Sequence, residues 1–298
     1  MTLVLAVDVG GTTIKAEVAD SASGVVVASG SVPTPHGAAA IDAAGTLGSS
    51  LMADAGPVAA AGVIVPGIVD RERRIAVYSA NIGWSSVAAG EVLERAWGVP
   101  VALDHDVTCA GLAEWQTGAG AGCADMAFVA IGTGIAAALV CDGRMLRGSG
   151  DGRQPGEIGH VVVRPEGPPC GCGARGCLEA VASASAIARA YAAVTGTAVG
   201  GALEVELAAA HDDRARKVWD EAVSALADGL VVLITLLAPS RIVVGGGLAV
   251  SGSFLMEPLG ALVRERVQVQ PVPSMTVAAH GTRAGLAGAA LLAAALAS

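Results

Sequence analysis

The chain has 298 residues, of which 53% are apolar but only 3% aromatic, and it carries a formal charge of −9. That length makes one large domain or two ordinary ones with a substantial core, built from Ala, Gly, Val and Leu. The negative balance argues against a nonspecific nucleic-acid binder, which needs a basic surface. The start MTLVLAVDVGGTTIK lacks the basic segment of an export signal, and the run LVVLITLLA at 230–238 is too short to span a bilayer. A cytoplasmic protein with no membrane partner is expected.

The chain opens with LVLAVDVG (3–10), which reads as a buried strand ending in a turn, followed by strands at 14–20 and 24–32. A dinucleotide fold would place a helix directly after the first strand; here two more strands come first. A helix is expected over 39–53, a strand at AAAGVIVPG (59–67), a helix near 86–97, a strand at VPVALDHD (99–106) and a helix over 107–118. The opening pattern then returns. DMAFVAIGTG (125–134) runs into a glycine turn and IAAALVCDG (135–143) follows as a strand. The repeated hairpin implies an α/β protein of two similar halves with a cleft between them. Helices are expected at 178–193 and 213–236, then the strand RIVVGGG, then an Ala/Leu helix over 283–297.

Asp8-Val9-Gly10-Gly11-Thr12-Thr13 combines a strand-end carboxylate with a glycine turn. Glycines let backbone approach a ligand, and successive N–H groups and hydroxyls can surround phosphate oxygens. Asp8 could hold Mg²⁺ directly or through water. Lys15 could face phosphate or solvent. The alternative is an ordinary hairpin turn. Gly132-Thr133-Gly134 repeats the device, and Gly245-Gly246-Gly247 offers a surface free of side chains to a nucleobase or ribose. Weak singly, the three turns together suggest a bound nucleotide. Asp104-His105-Asp106 closes a strand. A carboxylate there could accept a proton from an attacking hydroxyl, or Asp106 could merely cap the next helix.

Three of the six cysteines fall within PPCGCGARGCLEA (168–180). With His160 upstream they form H-x9-C-x-C-x4-C. One imidazole and three thiolates suit a tetrahedral structural Zn²⁺; the alternative is three reduced cysteines in a turn. Cys109, Cys123 and Cys141 sit singly in apolar contexts and read as small core residues. Glu157 and Glu179 flank the cluster and suit hydrogen bonds to a polyol. A zinc-bound His160 must place its second ring nitrogen somewhere, and a substrate is one candidate.

Taken together these motifs resemble the ROK family of bacterial glucokinase-like sugar kinases, which also includes repressors. The resemblance spans essentially the whole chain through DVGGT (8–12), VPGIVD (65–70), NIGW (81–84), DHD (104–106), GTG (132–134), GEIGH (156–160), CGCGARGCLE (170–179) and GGG (245–247). It implies the actin/hexokinase-like (ribonuclease H-like) ATPase fold, with a small lobe over 1–107 completed by the helix 283–298 and a larger lobe over 108–282. It further implies a homodimer using ATP and Mg²⁺ on a hexose, with structural zinc. Asp106 would be the catalytic base on the sugar 6-hydroxyl. Asp8, Gly10, Gly11, Thr12, Thr13, Lys15, Gly132, Thr133 and Gly134 would serve Mg²⁺ and phosphates, and Gly245, Gly246 and Gly247 the adenosine. Gly67, Asn81, Glu157, His160 and Glu179 would contact the sugar. No helix-turn-helix segment precedes Asp8, so the repressor branch is not expected. Relatives usually carry Asn where this chain has His105; in the family that Asn faces the sugar 3-hydroxyl, so His105 would stand at the substrate in its place. Glucose, or a C3-modified glucose such as 3-amino-3-deoxyglucose (kanosamine), follows as the expected substrate, with N-acetylmannosamine as a further possibility. Polyphosphate is a possible alternative donor. No function is read from Gly281-Thr282-Arg283, where many relatives have Gly-Asp.

Overall fold

The structure, a computed structural model, describes residues 1–148 and 153–297. It divides into two compact units. Unit 1 comprises Met1–Ala113, Arg147–Pro155 and Arg283–Ser298; unit 2 comprises Glu114–Leu146 and Gly156–Thr282. The division therefore falls between Ala113 and Glu114, inside a helix, where the sequence suggested 107/108. It also assigns the segment 147–155 to unit 1.

Unit 1 begins with β1 (Leu3–Val9), β2 (Thr13–Asp20) and β3 (Val26–Pro33), then α1 (Ala39–Ala55) and β4 (Ala61–Val65). A small separate sheet follows: β5 (Ile68–Asp70), β6 (Ile75–Ser79) and β7 (Trp84–Val87). This sheet is invisible to hydrophobic periodicity because its strands are three to five residues long. Next come α2 (Ala89–Trp97), β8 (Val101–His105) and α3 (Asp106–Thr117). The main sheet runs β3-β2-β1-β4-β8, antiparallel among the first three and parallel from β1 to β8. Every residue of β4 is buried, as a central parallel strand demands, whereas β3 alternates half-buried and exposed along the edge. Small residues stand in for the missing aromatics: the Trp97 indole lies on Gly48 of α1 and donates its Nε1–H to the Gly45 carbonyl at 2.9 Å.

Unit 2 repeats the arrangement. β9 (Met126–Ile131), β10 (Ile135–Cys141) and β11 (Arg144–Met145) are antiparallel neighbours. The helices α4 (Leu178–Ala182), α5 (Ala184–Thr195), α6 (Ala202–Ala208) and α7 (Asp213–Leu237) lead to β12 (Arg241–Gly245), α8 (Ser253–Arg266) and β13 (Ser274–Val277). The sheet order β11-β10-β9-β12-β13, with β9, β12 and β13 parallel, matches that of unit 1 strand for strand. The single helix expected over 178–193 is two. Ser183 is extended and its hydroxyl accepts the Ala186 N–H at 3.1 Å, a cap that restarts the helix. The unit's core gathers around α7, with Trp219 wholly buried.

The final helix, α9 (Ala284–Ala297), returns to unit 1 and lies across β1 and β4. Its approach depends on Gly62 of β4 and Gly288 of α9, where a Cβ would run into the Ala289 and Cys109 carbonyl oxygens. Arg283 ties its start to β2, with Nη2 donating to Glu17 Oε2 at 2.6 Å and Nε to Oε1 at 3.2 Å. No helix among the described residues is long and apolar enough to cross a membrane.

Candidate active site and metal centre

In unit 1 the functional candidates stand at strand ends because three neighbouring strands run parallel. Asp8 on β1 pairs in register with Ile64 on β4, and Ile64 with Asp104 on β8. The turn after Asp8 is closed by the Gly10 N–H donating to the Thr13 carbonyl at 3.1 Å. The Thr34 hydroxyl braces it through the Gly10 carbonyl at 2.7 Å; Thr34 carries no motif by which the sequence could have marked it. Lys15 stands opposite Asp8 across the hairpin and is exposed. Burial, then the neighbouring Asp106, pushes the Asp8 carboxyl up to about 6, with Lys15 opposing. A shift of that size weighs roughly 3 kcal/mol against the ionised form. A dication at Asp8 would relieve the same repulsion.

Asp104 and His105 are buried at the end of β8. Asp104 is fully engaged: Oδ1 accepts the His105 N–H at 2.8 Å and Oδ2 pairs with the Arg147 guanidinium. Arg147 was not singled out by the sequence, since it lies 43 residues away. Asp106 opens α3. Its Oδ1 accepts the Val107 N–H at 2.6 Å and lies 3.0 Å from His105 Nε2. A capping side chain normally serves the amide two or three positions on, so this bond to the adjacent amide is not that of an ordinary N-cap. His105 Nδ1 is buried with no hydrogen-bond partner among the described residues. Leaving a donor so placed costs about 1–3 kcal/mol, which puts the ring proton on Nε2. Gly67 follows β4 with φ +93°, and a Cβ there would strike the Tyr78 carbonyl. Asn81 is exposed on the loop before β7, close to Gly11.

In unit 2 the second hairpin turn is closed by the Gly132 N–H donating to the Gly134 carbonyl at 2.9 Å. Glu179 of α4 braces it: Oε2 accepts the Ile135 N–H at 2.9 Å and lies against Gly134. Thr133 stands between the two glycines. Gly245 ends β12 over the Phe128 ring, Gly246 has φ +81°, and Gly247 opens a 3-10 turn.

His160, Cys170, Cys172 and Cys177 converge, with one ligand atom from each lying within 4.8 Å of the others. His160 Nδ1 is 3.7 Å from Cys170 Sγ, and Cys172 Sγ is 3.7 Å from Cys177 Sγ. Two thiolates at ~2.3 Å from a tetrahedral zinc would stand about 3.8 Å apart, so the donor set and spacing fit that ion. Burial first, then the thiols of Cys172 and Cys170, push Cys177 up to about 12, while the Ala174 amide lowers Cys172. Three thiolates this close need a compensating cation. The loop is shaped by the Gly173 N–H donating to the Cys170 carbonyl at 3.0 Å and by Gly176 packed on the Arg164 carbonyl. His160 Nε2 points to Glu157, 3.8 Å from its carboxylate. Cys109 is buried in the core, while Cys123 and Cys141 are half-buried.

Comparison with known proteins agrees along the whole chain. A glucokinase of Halalkalibacterium halodurans is 33% identical over 95% of this chain and 92% of its own length. A ROK hexokinase structure from Thermus thermophilus superposes with a TM-score of 0.85 at 34% identity, covering 98% of each chain. A ROK glucokinase structure from Streptomyces griseus, in complex with glucose and AMPPNP, gives 0.84 at 30% identity, covering 98% of this chain and 99% of the other. The repeated sheets are thus those of the actin/hexokinase-like fold. The ROK family model matches residues 4–295. With its paired hairpins, its strand-end carboxylates and its Cys₃His loop, the chain belongs to the ROK family.

Proposed function

We propose that this chain is an ATP-dependent hexose 6-kinase acting on glucose. The observation that carries this reading is Asp106, whose carboxylate stands at a strand end with one oxygen held by protein donors and Asp8 close enough to perturb. In the proposed reaction the sugar O6–H proton passes to Asp106 as O6 forms a bond to the γ-phosphorus. The bond from that phosphorus to the β–γ bridging oxygen breaks, and ADP leaves with the electron pair. Such transfer needs mainly positioning and charge stabilisation. Mg²⁺, held by Asp8 and the phosphates, would supply the charge. The turns at Gly10–Thr13 and Gly132–Gly134, with Lys15, would line the phosphates; Gly245–Gly247 would adjoin the adenosine. Gly67, Asn81, Glu157, His160 and Glu179 are assigned to the sugar, and the Cys₃His loop to a structural zinc that shapes it. The functional assembly is proposed as a homodimer.

A second reading is favoured by His105, where relatives usually carry Asn: the substrate is 3-amino-3-deoxyglucose. The pairing of Asp104 with Arg147 counts against it, because the guanidinium already balances the charge that an ammonium group would need. An ADP-release assay on zinc-loaded protein, with glucose, 3-amino-3-deoxyglucose and N-acetylmannosamine at equal ATP and Mg²⁺, tests both. Glucose is expected to give the highest kcat/KM. A tenfold or greater preference for the amino sugar would replace glucose with it, and absence of turnover on all three would overturn the hexose-kinase reading.

A further inference from the structure

Position 105 departs from the family pattern, and its surroundings assign it a different task from meeting the sugar. The imidazole side chain is 9% exposed. Nδ1 is buried without a partner among the described residues, while Nε2 lies 3.0 Å from Asp106 Oδ1. With a carboxylate oxygen facing Nε2 and no acceptor facing Nδ1, the geometry places a ring proton on Nε2, donated to Asp106 Oδ1. The strand below is equally constrained: Asp104 holds the His105 amide at 2.8 Å and is itself paired with Arg147. Ring and backbone of His105 are therefore both fixed by neighbours.

The consequence falls on Asp106. Among the described residues its two protein donors, the Val107 N–H at 2.6 Å and the His105 ring at 3.0 Å, both meet Oδ1 and neither meets Oδ2. We propose that His105 is a positioning residue: it holds Asp106 Oδ1, so that Oδ2 alone is presented to the hydroxyl that gives up its proton. Asn at this position would be shorter and could not place a donor where Nε2 stands. The inference rests on Asp106 being the proton acceptor.

The test uses the full-length, zinc-loaded protein with MgATP and glucose, comparing wild type with His105→Phe, His105→Gln and Asp106→Asn. Phenylalanine keeps the ring and removes the donor; the glutamine amide nitrogen reaches the place of Nε2. The phenylalanine variant is expected to lose about tenfold or more in kcat, as loss of orientation does, with KM for glucose within about threefold of wild type. The glutamine variant is expected to recover most of that loss. Side-chain ¹⁵N spectra of wild type are expected to show a proton on His105 Nε2. Unchanged kcat in His105→Phe, a rise in KM at constant kcat, or an Nδ1–H tautomer would each overturn the proposal. Should the phenylalanine variant fail to fold, the glutamine variant and the wild-type spectrum decide. Turnover retained by Asp106→Asn would instead remove the base assignment on which the proposal stands, whereas a dead Asp106→Asn beside a fully active His105→Phe would remove the proposal alone.

Discussion

The hairpin β1–β2 of unit 1 and the hairpin β9–β10 of unit 2 sit at the same place in sheets of the same topology, yet they acquire their carboxylates differently. The first carries its own: Asp8 precedes the turn and is pushed up to about 6 by burial and by Asp106. The second has none on the strand. It takes Glu179 from α4, two residues after Cys177, to hold the Ile135 amide at 2.9 Å. Duplicated backbone therefore does not mean duplicated chemistry. A strand-end carboxylate near a second carboxylate suits a cation. One bonded to the turn's own amide holds the turn's shape and ties it to the metal loop.

Substitutions that break this contrast have graded consequences. The largest is expected at Asp106: changing it to Ala should lower kcat by at least about a thousandfold, while the circular dichroism spectrum and zinc content stay as in wild type. Zinc removal comes next. Cys172→Ser or a strong chelator is expected to lower kcat/KM for glucose at least tenfold, through the loop that leads into α4 and Glu179, as followed by metal analysis and steady-state kinetics. Because thiols must lose protons to bind the ion, zinc affinity should rise with pH, which a competition titration at pH 6 and pH 8 would show.

Glu179→Ala leaves the Ile135 N–H without its acceptor and is expected to destabilise the protein by about 1–3 kcal/mol in urea unfolding. Asp8→Asn sharpens the contrast from the other side. Protonation favours the folded state when a carboxyl is raised there, so its penalty is absent below the unfolded value near 3.8, grows between that value and about 6, and is full above it. Without Mg²⁺ and nucleotide, the variant should therefore gain thermal stability relative to wild type between pH 5 and pH 8, though it loses turnover. A variant that gained nothing would show that Asp8 is not under strain. Arg283→Ala removes a half-exposed pair with Glu17 and should cost no more than about 1 kcal/mol.

Much of this was legible in the residues. β1, β4, β9 and β12 announce themselves as apolar runs ending in glycine. The Cys₃His spacing names its own chemistry, because thiolates need a shared cation at any fold position. The short strands β5 to β7 and the break at Ser183 were not legible, since three to five residues carry too little periodicity and a serine cap inside an Ala-rich run looks like helix.

The sequence alone determined which groups this chain possesses: the glycine turns, the Asp104-His105-Asp106 triplet and the four metal donors, each a matter of local residue type and spacing. Only the tertiary structure decided what those groups touch. Parallel strands bring Asp8 near Asp106, a residue 43 positions away takes up Asp104, and Glu179 closes a turn 44 positions upstream of it. Burial seals one nitrogen of His105 and turns the other to the carboxylate. Such pairings depend on long-range packing, which no local pattern of residues encodes.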